Sequence, residues 1–275
     1  MTNLQKRILV ALIGIPIIVL PIYFGGNLFY LFITLLCIQS YNELLTIQGK
    51  KGIKVNKDIA VISIILFLSI FITIFNNGYF INPAYLFFIP FLLFTYILLF
   101  VKENPISVFG QIASSFFYPV LPLASLLLFD RHPSWLITPD FLSSKFLFAI
   151  FVALWLGDSA AYFTGRAIGK HKLFERISPN KTWEGAISNF IFSIIGFYLG
   201  LKVIEVNLDI NQNIISGIII GIFGQVGDLF ESYLKRDTGV KDSSNILPGH
   251  GGFLDRFDSL IFAGPMVLFY LIIAS

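Results

Sequence analysis

Apolar runs of membrane-spanning length alternate with short polar breaks along almost the whole chain. A spanning helix needs about 20 mostly apolar residues. Nine stretches meet that requirement: roughly Ile8–Gly25, Leu28–Leu45, Ile59–Phe75, Ala84–Val101, Ile112–Phe129, Lys145–Gly165, Glu184–Val203, Ile214–Lys235 and Arg256–Ala274. The breaks between them hold turn formers and charges, as at Gly25-Gly26, Gly49–Asp58, Asn76–Pro83, Lys102–Pro105 and Asp130–Pro139. The pattern predicts an all-α polytopic membrane protein, with residues 1–275 forming a single integral membrane domain. Within it, 1–130 read as scaffold helices facing lipid, and 145–275 as the helices and loops that carry chemistry. The first run is long enough to span and is followed by no clean small-residue cleavage site, so it is expected to be a membrane helix rather than a secretory leader.

Composition agrees with this picture. Of 275 residues, 56% are hydrophobic and 13% charged, against about 25% charged in soluble domains. The net charge of +3 is too small to imply a nucleic-acid partner. Its distribution is more informative. With the N-terminus cytoplasmic and the nine spans alternating, 16 of the 19 basic residues fall on the cytoplasmic side, leaving Arg131, Lys145 and Lys202 outside. Cytoplasmic loops carry such an excess, so the C-terminus is expected outside. The single cysteine, Cys37, lies in an apolar run and can form neither an intramolecular disulfide nor a zinc cluster. Glu43, near the end of the second run, is expected to snorkel or to pair with a nearby lysine.

From Trp155 onward polar residues enter the spans. Asp158, Tyr162 and Arg166 are spaced by four and share a helix face. Asp158 either fixes packing, for example against Arg166, or belongs to a site, because a carboxylate within a membrane is costly and marks function by default. The following loop carries Lys170, His171, Lys172, Arg176 and Lys181. Ser178 or Thr182 is expected to cap the next helix, whose N-terminus suits an anion. The eighth run ends with Asp228, Glu231, Ser232 and Lys235 on one face, and Gly221, Gly224 and Gly227 form a small-residue stripe for close helix packing. The ninth opens with Asp255 and Asp258, three apart. Asp228, Asp255 and Asp258 can therefore converge from two neighbouring helices. Three carboxylates together call for a cation, and their oxygens suit magnesium, with a second cation also compatible. Lys235, Arg236, Lys241, Arg256, Lys172 and Lys181 surround them. Magnesium-binding carboxylates with nearby cations are what phosphoryl or nucleotidyl transfer requires. Pro248-Gly249-His250-Gly251-Gly252 adds a turn whose backbone N–H groups could approach a phosphate.

These residues carry a resemblance. Ser232-x-x-Lys235-Arg236-x-x-x-x-Lys241-Asp242-x-Ser244, followed by Leu247-Pro248-Gly249-His250-Gly251-Gly252-Phe253-x-Asp255-Arg256-Phe257-Asp258, is similar to the signature of the phosphatidate cytidylyltransferase family, the CDP-diacylglycerol synthases. The segments Gly157–Arg166 and Ile177–Gly185 also resemble that family, so the likeness covers about Trp155 to Asp258. It implies that CTP and phosphatidate give CDP-diacylglycerol and pyrophosphate, with magnesium, in phospholipid biosynthesis. Asp228, Asp255 and Asp258 are then expected to bind the metal. Lys235, Arg236, Lys241 and Arg256 would bind triphosphate or stabilise the leaving pyrophosphate. Asp158, Lys172, Ser178, Lys181, Trp183, Ser232, His250, Gly251 and Gly252 would contact nucleotide or lipid headgroup, or shape the site around them. Localisation is expected in a bacterial plasma (inner) membrane with the site on the cytoplasmic side. Acyl-chain preference and oligomeric state stay open, a homodimer included. Two other readings compete. A CTP-dependent polyprenol or dolichol kinase would release CDP. An ion-coupled transporter would favour charges near the midplane and an inverted repeat, and the sequence has neither.

Overall fold

The computed structural model describes residues 3–52, 55, 64, 65, 67, 68, 94–130 and 142–274. The chain is helical almost throughout these. The helices are α1 (Asn3–Phe24), α2 (Gly26–Gln48), α3 (Pro105–Phe129), α4 (Phe146–Ile168), α5 (Trp183–Val203), α6 (Ile210–Asp237) and α7 (Leu254–Ile273). Among the described residues six are long and apolar enough to cross a membrane, and α1 adds a shorter apolar stretch, Leu12–Phe24. Seven of the nine expected runs are thus seen as helices. The expected spans Ile59–Phe75 and Ala84–Val101 lie largely outside the described residues, although 94–100 are helical.

Local chemistry moves some boundaries. α6 starts at Ile210, four residues before the expected Ile214, because Asp209 caps it. Asp209 Oδ1 accepts from Gln212 N at 2.7 Å, and the Gln212 side chain accepts from Asp209 N at 3.4 Å. This reciprocal capping box satisfies two backbone donors that would otherwise be orphaned. α3 starts at Pro105, where a missing N–H is harmless at the first helical position. Further on, Pro119 has the opposite effect. In a helix interior its ring removes a hydrogen bond and crowds the preceding turn, and α3 widens to a π-helix over Phe116–Val120.

Glycines let the C-terminal helices touch. A Cβ on Gly200 would sit 2.5 Å from the Cα of Ala149, and one on Gly196 would sit 2.8 Å from that of Ala153, so α5 lies directly on α4. The glycine stripe of α6 serves three neighbours rather than one. Gly221 faces Phe190 of α5, Gly224 faces Leu154 of α4, and Gly227 meets the backbone of Asp258 in α7. Gly227→Ala is therefore expected to push α7 off α6 and to cost about 1–3 kcal/mol, the usual range for overpacking. A lowered unfolding temperature in detergent would show it. Gly110→Ala, with nothing within 4 Å of the added carbon, should leave that temperature unmoved.

Polar contacts mark two ends of the bundle. At one, Gly26 N donates to Asp130 Oδ2 at 3.0 Å and Ser144 Oγ to the Ile22 carbonyl at 2.8 Å. At the other, Lys51 pairs with Asp237, and the ends of α2, α4 and α6 meet the starts of α5 and α7. A short antiparallel hairpin sits at this second end, β1 (Lys172–Phe174) with β2 (Ser178–Thr182), pairing Lys172 with Thr182 and Phe174 with Ser178.

Candidate active site

A polar cavity of about 690 Å³ opens at that second end, lined by residues of α4, the hairpin, α5 and α6. The i, i+4 spacing on α4 does what it predicts. Asp158, Tyr162 and Arg166 all line the cavity, and Arg166 Nη1 donates to Tyr162 Oη at 3.1 Å. The hairpin brings in Lys172 and Lys181. Lys172 Nζ donates to the Pro179 carbonyl at 2.6 Å, which closes the hairpin over the site. Thr182, rather than Ser178, caps α5, accepting from Gly185 N at 3.2 Å. Ser178 lies in β2 opposite Phe174, and Trp183 is 55% exposed at the start of α5. His171 Nδ1 lies 2.7 Å from Glu184 Oε1, which fastens the loop to the first turn of α5.

From α6, Asp228 completes the cavity and pairs with Lys181 at 2.7 Å. Ser232 Oγ donates to Asp228 Oδ1 at 3.4 Å, from one turn further along α6. The partner of Asp158 is Asn189 of α5, whose Nδ2 donates to it at 3.1 Å; the alternative of an Arg166 pair is not what forms. The charges of Asp158, Asp228 and Asp258 act on one another, and those of Lys181 and Arg256 act on Asp158. Asp258 reaches this position because Gly227 admits its backbone beside Asp228.

Behind the cavity lies a second polar cluster that locks the loop between α6 and α7. Lys235 pairs with Glu231 on its own helix and with Asp255 at 2.5 Å. The other oxygen of Asp255 accepts from Ser243 N at 2.9 Å, Gly252 N at 2.7 Å and Ser243 Oγ at 2.8 Å. Asp255 is thus engaged on both oxygens as a loop clamp. The expected convergence of Asp228, Asp255 and Asp258 on one cation is not the arrangement seen, and among the described residues no three His, Cys, Asp or Glu side chains are grouped to hold a metal. Lys235, expected to bind triphosphate, is 7% exposed and pairs with two acids. Arg236 donates to the Val240 carbonyl at 2.8 Å and also braces the loop. Lys241 and Arg256 are exposed.

The glycine turn differs from expectation as well. His250 N donates to the Leu247 carbonyl at 2.8 Å, and Gly252 N belongs to Asp255. These two N–H groups hold the loop together. Gly251 is needed for its backbone, at φ 81°, where a side chain would also strike Asp255. Gly252 is needed for space, because a Cβ there would overlap Ser243 and lie 2.5 Å from Glu43 Oε2.

Glu43 is the residue that sequence reasoning misplaced. It is 2% exposed and neither snorkels nor meets a lysine. It accepts from Ser244, Phe253, Leu254 and Gln39, and lies 3.0 Å from Ser243 Oγ. Asn189 was also missed. The signal for Glu43 was present, since an ionisable residue inside an apolar run is functional by default. Nothing in the sequence names its partners.

The sequence profile of the cytidylyltransferase family matches residues 5–274. Curated phosphatidate cytidylyltransferases are similar in part. That of Staphylococcus haemolyticus (strain JCSC1435) is 52% identical over 122 residues, 44% of this chain and 47% of the relative. That of Staphylococcus aureus (strain COL) is 48% identical over 122 residues, again 44% and 47%. The Bacillus subtilis (strain 168) protein is 43% identical over 130 residues, 47% of this chain and 48% of the relative. The chain spans about half the length of the curated relatives it matches. The profile, by contrast, runs nearly end to end, and with it the all-helical membrane architecture and the polar cavity find their place: the chain belongs to the cytidylyltransferase family.

Proposed function

We propose that the protein transfers the cytidylyl group of CTP to phosphatidate, forming CDP-diacylglycerol and pyrophosphate. The observation that carries this reading is the cavity itself, where Lys172, Lys181 and Arg166 face Asp158 and Asp228 at one end of a bundle of apolar helices. A water-soluble nucleotide and a lipid headgroup can meet only at such a boundary. An oxygen of the phosphatidate phosphate attacks the α-phosphorus of CTP, the bond from that phosphorus to the bridging oxygen of the β-phosphate breaks, and pyrophosphate leaves. Arg166, Lys172 and Lys181 hold triphosphate charge, and Arg256 lies near enough to add to it. The same charge pattern, read with the basic loops of the sequence, supports a site on the cytoplasmic side. The bacterial relatives support a bacterial plasma membrane.

Magnesium would be held by Asp228 and Asp258, whose charges act on each other where the Asp258 backbone meets Gly227 of α6. Asp255 does not join them, being already satisfied on both oxygens. When bound there, the ion would neutralise and orient the phosphates. The lysines of the cavity would then be left to the nucleotide.

The reading is tested with purified protein, phosphatidate vesicles, magnesium and CTP labelled in the cytidine moiety. Label is expected in the lipid extract, with one pyrophosphate released per lipid product. Release of CDP with an unlabelled lipid phosphate would overturn it in favour of a lipid kinase.

A further inference from the structure

α7 begins without a local cap. Its N-cap residue, Phe253, offers no side-chain hydrogen bond, yet the first backbone N–H groups of any helix need partners. Glu43 supplies them from α2. Its Oε1 accepts from Phe253 N at 3.0 Å and its Oε2 from Leu254 N at 2.7 Å. The same carboxylate accepts from Ser244 Oγ at 2.7 Å and lies 3.0 Å from Ser243 Oγ, while Gln39 Nε2 steadies it at 3.1 Å from one turn back. About four lone-pair sites on a carboxylate thus face five donors. A negative charge at a helix N-terminus is also favoured by the helix dipole.

Ser243 ties this clamp to the other one. Its hydroxyl stands 3.0 Å from Glu43 and 2.8 Å from Asp255, and it has one proton to give. Glu43 and Asp255 therefore grip the same loop from opposite sides, with Gly252 pressed between Ser243 and Glu43 because no side chain fits there. Three turns of sequence are fixed by this arrangement: the serines at 243 and 244, the glycine turn, and the first turn of α7. That first turn leads directly to Arg256 and Asp258.

We propose that Glu43 is a positioning residue: acting in place of a local cap, it holds the 243–254 loop and the start of α7 so that Asp258 is set against α6 at Gly227, next to Asp228, with Arg256 two residues before it. The proposal rests on the cytidylyl-transfer reading for its catalytic consequence, but not for the clamp.

Glu43→Gln keeps the size of the side chain, removes the charge and replaces one acceptor oxygen with a donor. Hydrogen–deuterium exchange of the detergent-solubilised full chain is expected to quicken at least tenfold in peptides covering 243–254, with α4 and α5 unchanged. In the CTP assay kcat should fall tenfold or more, while KM for CTP rises by much less, because α4, the hairpin, α5 and α6 build the cavity that takes the nucleotide and, of the proposed triphosphate contacts, only Arg256 comes from α7. Unchanged exchange at 243–254 would overturn the clamp. Quickened exchange with an unchanged kcat would overturn the positioning role. If the parent protein transfers no cytidylyl group while exchange still quickens, the clamp stands and the proposed reaction falls. Should Glu43→Gln not fold, Ser243→Ala replaces it, with a smaller quickening of the same peptides and a smaller loss of kcat expected. No change in either with Ser243→Ala would likewise overturn the proposal.

Discussion

Asp258→Asn is expected to lower magnesium-dependent transfer by roughly 10²–10³-fold, the loss that follows removal of one electrostatic contributor to a transition state. The substitution is nearly isosteric, and the Asp258 backbone is fixed against Gly227, so the fold should survive. What disappears is negative charge beside Asp228. Two carboxylates at that spot repel each other unless a cation lies with them. Asn therefore relieves the repulsion in the empty site and weakens the hold on magnesium. The magnesium concentration for half-maximal rate should rise together with the loss of rate. Full turnover at unchanged magnesium dependence would remove Asp258 from the metal site. Asp255→Asn is expected to behave differently, quickening exchange in the loop with a much smaller shift in the magnesium requirement.

Lys235→Met is expected to be the most destabilising single change at this end of the bundle. The ammonium lies between Glu231, 1% exposed, and Asp255. Removing it leaves two buried acids without their counter-charge, and breaking a buried pair in this way costs about 3–5 kcal/mol. Methionine preserves most of the side-chain volume, so the loss is electrostatic rather than a cavity. A large fall in unfolding temperature should follow, and the double variant Glu231→Gln with Lys235→Met should recover part of it. If Lys235→Met unfolds with the parent but cannot bind CTP, the lysine serves the nucleotide and not the loop.

Much of the fold is legible in the sequence because its solvent is lipid. A run of apolar residues long enough to span has few options besides a helix, so α2 and α4 to α7 fall close to their expected places. The departures come from side chains reaching back to backbone. Asp209 extends α6 and Pro119 widens α3, and neither effect is visible in hydropathy. For the site, helix periodicity sufficed where partners share one helix, as Asp158, Tyr162 and Arg166 do. It also indicated that Asp228 and Asp258 could meet. It failed for Asp255, because spacing by three places a carboxylate on the right face without saying how many backbone donors the following loop will turn toward it. It failed for Glu43 for a related reason. A buried acid advertises that it has partners, but those partners are 200 to 211 residues away, and no local pattern encodes such a distance.

That separation has a consequence for how the chain is made. Ribosomes add roughly 5–20 residues each second, so Glu43 emerges about 10–40 s before the backbone it will cap. During that interval α2 carries a carboxylate near its end whose donors from the 243–254 loop are not yet made, with Gln39 as its neighbour one turn away. The set is complete only when α7 arrives. α7 thus completes α2 across some 200 residues of chain, and a nascent chain stopped short of Ser243 leaves Glu43 with Gln39 alone among the donors it later engages.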